Sequence, residues 1–217
     1  MAPRRRYAVT KLAMTAMVLA IAVVAVSAAP ASSRLLVAEL LIVRGDLGRL
    51  ASEPGLSPAN REGLRQRIVG ALGLLPWLLR EAGDAAEADR LRAWQGRSFS
   101  DVAARDALIA AIDAAIARHP IDRSAFFAPQ STTARLGEAR SIHATYCAAC
   151  HDGMGTGASD ALLPARDLFT MAQQESADEF LARMVNGVKG DEAIHFANPL
   201  TDAQIGALCT FYRTRAP

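Results

Sequence analysis

From Ser32 to Gln130 apolar residues recur at spacings of three and four, the period of amphipathic helices. Leu36, Leu40, Val43 and Leu47 predict a helix over Arg34 to Leu50. Ser57-Pro58 is a helix start, with proline at the first helical position. The next stripe runs through Leu64, Ile68, Leu72 and Leu75, and Pro76 is expected to kink or break it. Asp84 caps a further alanine-rich segment reaching about Trp94. Ser100 begins the last strong helix of the region, with Val102, Leu108, Ile109, Ile112 and Ile116 on its apolar face. It stops near His119-Pro120, since proline disfavours helix at the residue before it. Four such segments imply an antiparallel bundle over residues 32–130, linker included. The Asp, Glu and Arg residues alternating along these helices read as solvated faces, and no catalytic constellation stands out among them.

Residues 1–29 have a different texture. Arg4-Arg5-Arg6 is followed by a nearly unbroken apolar run from Leu12 to Val26, and Val26-Ser27-Ala28 offers small residues for cleavage. This is the pattern of a secretory signal; an uncleaved anchor helix is the alternative, because the run approaches membrane-spanning length. The segment also carries four of the basic residues and no acidic one. Without it the chain holds 20 Lys and Arg against 22 Asp and Glu, so the formal charge of +2 becomes about −2. Nothing in this balance resembles a nucleic-acid footprint.

The chemistry is concentrated in Cys147-Ala148-Ala149-Cys150-His151. Cys-x-x-Cys-His is the attachment signature of c-type haem. The two thiols form thioethers with the two vinyl groups of one porphyrin, and the histidine is held beneath the iron as an axial ligand. A dithiol redox pair or half a zinc site would use the same cysteines. A zinc site needs a second ligand pair, and only Cys209 and three scattered histidines remain.

The residues around the pentapeptide complete a longer pattern. Gly137 stands ten residues before Cys147, then come Ile142 and Tyr146. The glycine-rich run Asp152-Gly153-Met154-Gly155-Thr156-Gly157 follows the motif. Pro164 comes next, then a short helix from Ser176 to Val185 ending at Asn186-Gly187. Leu200-Thr201-Asp202-Ala203-Gln204-Ile205 opens a last helix with Thr201 at its cap, running through Leu208 and Tyr212. Residues 134–217 thus resemble a class I cytochrome c domain, which gives an all-α chain: an N-terminal helical bundle followed by a cytochrome c-like haem domain. The resemblance covers roughly the last third of the chain. It implies one covalent haem c bound through Cys147 and Cys150, with His151 on the iron. It also implies that the Pro164 carbonyl fixes the second nitrogen of His151, and that the last helix crosses the first near Gly137.

One departure stands out. The family usually carries Met-Pro-x-Phe before its last helix, the methionine sulfur taking the second face of the iron. Aligning Phe196 with that aromatic puts Ala193 in the methionine's place. His195, two residues later, is the natural replacement ligand; the other reading leaves it on the surface and the sixth position open. Met184 reads as core, Met171 as a loop residue and outside candidate, and Met154 as too near His151 to reach the far face. His143 reads as packing or surface, His119 as the end of a helix, and Cys209 as a small buried apolar residue. In the linker Pro120 to Thr133, the pair Phe126-Phe127 reads as packing between the bundle and the haem domain.

These readings describe an electron carrier rather than an enzyme, exported to the periplasm or another extracytoplasmic compartment, with membrane association possible through the N-terminal segment. From Arg135 onward seven basic residues face ten acidic ones, so a redox partner protein with a basic docking surface fits best. Two alternatives stay open: a haem-based sensor or small-ligand-binding protein with an open sixth position, and the haem subunit of a membrane redox complex.

Overall fold

The computed structural model describes residues 31–127, 133–152, 163–187 and 198–214, and among them every regular element is helical, as the all-α expectation requires. The signal or anchor segment lies outside the described residues.

Helix α1 (Ala31–Ser52) buries Leu36, Leu40, Val43 and Leu47 in one stripe. Helix α2 (Pro58–Glu81) starts where the sequence predicts, the Ser57 hydroxyl accepting from the Asn60 amide at 3.1 Å. Pro76 does not break it: the helix runs on to Glu81. A proline at 76 leaves the Leu72 carbonyl without its helical donor. The Gln95 side-chain amide supplies one instead, at 3.0 Å. Gly83, at φ 79°, turns the chain into Asp84, which caps α3 (Ala85–Arg92). Helix α4 (Val102–Arg118) is capped by Asp101 rather than Ser100. Val102, at its first turn, is exposed, while Leu108, Ile112 and Ala115 carry the buried face.

The four helices share a core built almost wholly of aliphatic side chains. Helix α1 does more than wall that core. Its opposite side packs Ala38 and Ile42 against Ala182 and Val185 of α8 (Ala177–Asn186), as closely as it packs against α2. The helix is therefore covered on two sides, which alters the fate of its charges. Glu39 and Asp46, read from sequence as solvated, are buried, and so is Glu87 of α3. Asn186 of α8 donates to Glu39 at 3.0 Å, and Arg90 pairs with Glu87 at 2.6 Å.

The remaining helices are α5 (Thr133–Ile142), α6 (Ala148–His151), α7 (Leu168–Gln174) and α9 (Asp202–Thr214). The α9 start follows the predicted cap, Thr201 accepting from the Gln204 amide while Gln204 accepts from the Thr201 amide. Helix α9 crosses α5, but not at Gly137, whose missing Cβ faces open space. Fully buried Ala139 takes that place, so the contact face lies two residues further along α5 than expected. The tight approach is at Gly206, where a Cβ would collide with the Phe126 carbonyl. Phe126 is buried in the C-terminal core with the Arg34 guanidinium 5.2 Å over its ring, while Phe127 is exposed. One ring of the predicted pair does the packing.

Candidate functional site

The pentapeptide sits at the end of a single long helix. α5 passes without a break into a π-turn over His143–Cys147 and then into α6. In the π-turn the Ala148 amide donates to the His143 carbonyl, one residue further back than in an α-helix. Such a turn rotates everything after it by about one residue position. It separates the buried face of α5, marked by Ala139, Ile142 and His143, from the face that carries the thiols. Cys150 is exposed, Cys147 and His151 are half-buried, and Tyr146 beside them is 77% exposed. All three cysteines are free thiols.

His151 is oriented by one contact. Its Nδ1 lies 2.6 Å from the Arg166 carbonyl. A carbonyl can only accept, so Nδ1 carries the proton and Nε2 keeps its lone pair free to bind a metal. The resemblance assigned this job to the Pro164 carbonyl; the structure gives it to Arg166. Residues 164–167 carry no helix or strand. Arg166 has a tether that proline lacks: its guanidinium donates to Glu175 at 2.6 Å and to Gln174 at 3.1 Å.

Beneath the pentapeptide lies a buried polar group that the sequence did not reveal. His143 is buried, with Nδ1 2.9 Å from the Tyr212 hydroxyl and Nε2 3.3 Å from Asp152. Its ring packs against Phe169, Phe211 and Tyr212, with centroids 5.5 to 5.8 Å away. The packing half of its expected role holds, but its polar partner comes from a helix 69 residues away. The Tyr212 hydroxyl also neighbours the Cys147 thiol. Burial pushes that thiol up, the Tyr212 contact opposes the shift, and Asp152 and Cys150 add to it. Burial raises Tyr212 well above the ordinary tyrosine range, helped by neighbouring Cys147.

These directions discriminate between chemistries. A dithiol redox centre needs a nucleophilic cysteine of lowered pKa, commonly at a helix N-terminus. Cys147 stands fifteen residues into a continuous helical run and its thiol is pushed the other way. Among the described residues, no group of three or more His, Cys, Asp and Glu side chains could hold a metal ion. What the donor set fits is a haem held by two thioethers and one imidazole: two free thiols, one exposed and one half-buried, followed by a histidine whose Nε2 keeps its lone pair.

The other sequence-predicted residues divide. His195, Ala193, Met154 and the glycine-rich run from Gly153 lie outside the described residues. Met184 is core, as expected. Met171 is not in a loop but buried within α7. Cys209 is buried on α9, its thiol pushed by burial up to about 12. His119 closes α4 and lies 3.1 Å from Asp84. Among the described residues no helix is long and apolar enough to cross a membrane. The chain matches no protein-family model, no curated protein and no solved structure.

Proposed function

We propose that the chain is an exported monohaem c-type cytochrome that carries electrons, with haem c attached at Cys147 and Cys150 and His151 as the proximal ligand. The observation that carries the reading is the Nδ1 contact of His151 with the Arg166 carbonyl, which leaves Nε2 as the free donor beside two free thiols. When bound, the haem supplies a one-electron ferrous–ferric couple. The chain's own residues do the rest. Cys147 and Cys150 fix the ring to the helix, and Arg166 sets the orientation and basicity of His151. Tyr212 and His143, joined by a hydrogen bond, close the polar space behind Cys147. His195 is the proposed distal ligand, and a basic surface on a periplasmic partner is the proposed docking face.

Protein matured with a haem-attachment system tests this. Mass spectrometry should show one haem added, and a denaturing gel should show a haem-linked band. Cys150→Ala should weaken or abolish the band. A chain that leaves the attachment system without covalent haem overturns the reading. Optical and paramagnetic-resonance spectra of the loaded protein should show low-spin iron without a sulfur-to-iron band, and His195→Ala should convert it to high spin.

A further inference from the structure

The His151 contact is the end of a longer chain of charged side chains. It starts in α1, which borders the same pocket as Arg166 and Glu175. Asp46 has no exposed surface. It accepts two hydrogen bonds of 2.5 Å from Arg67 of α2 and one of 3.1 Å from Arg183 of α8. Arg183 donates onward to Glu175 at 2.9 Å and to Glu179 at 2.7 Å. Glu175 has both oxygens engaged: one by Arg183, the other by Arg166 at 2.6 Å. Arg166 then presents its backbone carbonyl to His151.

Arg67, Asp46, Arg183, Glu175 and Arg166 alternate in charge along this path, and Glu179 branches from Arg183, so three guanidinium groups meet three carboxylates. Burial works against the charge on Arg183, but Asp46, Glu175 and Glu179 hold its proton more firmly than usual. Every link between side chains on the path is a charge-assisted hydrogen bond, the strongest and most directional kind; the last, from His151 to the Arg166 carbonyl, is an ordinary neutral one. The last link matters most for position. Residues 164–166 belong to no helix, so the backbone there has no ladder to hold it. The Arg166 side chain, gripped by Glu175 and Gln174, is the tether that keeps its own carbonyl in line with His151.

We propose that Asp46, in the N-terminal helical region, is a positioning residue for His151, acting through Arg183, Glu175 and Arg166. The inference rests on the haem reading and assigns the helical region a role within it: it sets how firmly the proximal histidine's Nδ1 proton is held. A firmly held proton makes the imidazole a stronger donor, which favours ferric iron and lowers the reduction potential.

The test uses two substitutions of opposite charge effect in the haem-loaded, full-length protein. Asp46→Asn removes a negative charge and Arg166→Met a positive one. If the chain acts by positioning, both loosen the carbonyl, so both should raise the midpoint potential. Both should also speed solvent exchange of the His151 Nδ1 proton, read by proton NMR. If the groups act only as charges, Asp46→Asn should raise the potential and Arg166→Met should lower it, and the proposal is overturned. Unchanged potentials and exchange rates in both variants overturn it as well. Should Asp46→Asn fail to fold, Arg166→Met carries the test alone, because it leaves the buried Asp46 pair intact and a fall or no change in potential still decides against the proposal. Arg80→Ala, which breaks the exposed Arg80–Asp89 pair outside the chain, should leave both readouts unmoved. Absence of covalent haem in the unaltered chain sinks the functional reading and this proposal together. A haem-linked band with unmoved variants sinks this proposal alone.

Discussion

The two hydrophobic cores of this molecule are built from different materials. The N-terminal core is leucine, isoleucine, valine and alanine, with Trp94 and Phe99 as its aromatics. The C-terminal core gathers Phe126, Phe169, Phe180, Phe211 and Tyr212, with His143 among them. The aliphatic core closes on itself by knobs and grooves between four helices. The aromatic core draws on short helices and the linker, and it borders a face where Tyr146 and Cys150 stand open. α1 belongs to the first core and packs its other side on α8 in a small separate cluster, and the ionic chain through Asp46 crosses at that seam.

The strongest way to break that contrast is to cut one large side chain from each core. Phe180→Ala should cost about 3–5 kcal/mol and Leu75→Ala about 2–5 kcal/mol, since both are fully buried. Denaturant titration should show Leu75→Ala lowering the stability of the N-terminal region. Phe180→Ala should act on the C-terminal region, read from near-ultraviolet dichroism. Equal loss of both signals in both variants would show that the cores unfold as one.

A smaller effect comes from Asp84, which ties α3 to the end of α4. Burial opposes its charge, yet His119, the Glu87 amide and Arg118 hold its carboxyl below the usual carboxylate range. A lowered folded value means the stabilisation is present above the unfolded pKa, about 3.9, and is lost as pH falls through the folded value. Asp84→Asn should cost about 1.5–3 kcal/mol at neutral pH. It should also flatten the acid limb of the stability curve; an unchanged acid limb would show that Asp84 does not contribute to it. The C-terminal signal should keep its own pH profile.

Smallest is Gln95→Leu, which leaves the Leu72 carbonyl above Pro76 without a donor. It should cost about 1 kcal/mol of N-terminal stability by thermal melting. No loss would mean that the carbonyl finds water instead.

What the sequence made legible follows the range of each interaction. Helix periods, the caps at Ser57, Asp84 and Thr201, and the Cys147-to-His151 motif are local, and each stands where the sequence puts it. Pro76 leaves its helix unbroken, and the residue that serves the freed carbonyl, Gln95, is 23 positions from it and so not legible locally. Asp46 and Glu39 misled because a carboxylate facing water and one covered by the Arg183 and Asn186 side chains of α8 occupy the same helical spacing. Only the arrival of α8 distinguishes them. Pro164 misled by two residues because both carbonyls, at 164 and at 166, lie on a segment without regular structure, where local pattern does not choose between them. The Arg166 tether that selects between them is long-range.

The double coverage of α1 also bears on the order in which the chain can assemble. Its pairing with α2 joins neighbours in sequence. Its pairing with α8 spans 137 residues from Asp46 to Arg183 and 147 from Glu39 to Asn186. Contacts that close loops of this length form slowly and late. The Cys147-to-His151 segment lies inside the loop that they close. The N-terminal helices can thus be in place while the thiols are still carried on an open chain. Docking α8 onto the waiting side of α1 then brings Arg183 to Asp46 as one of the last events in folding.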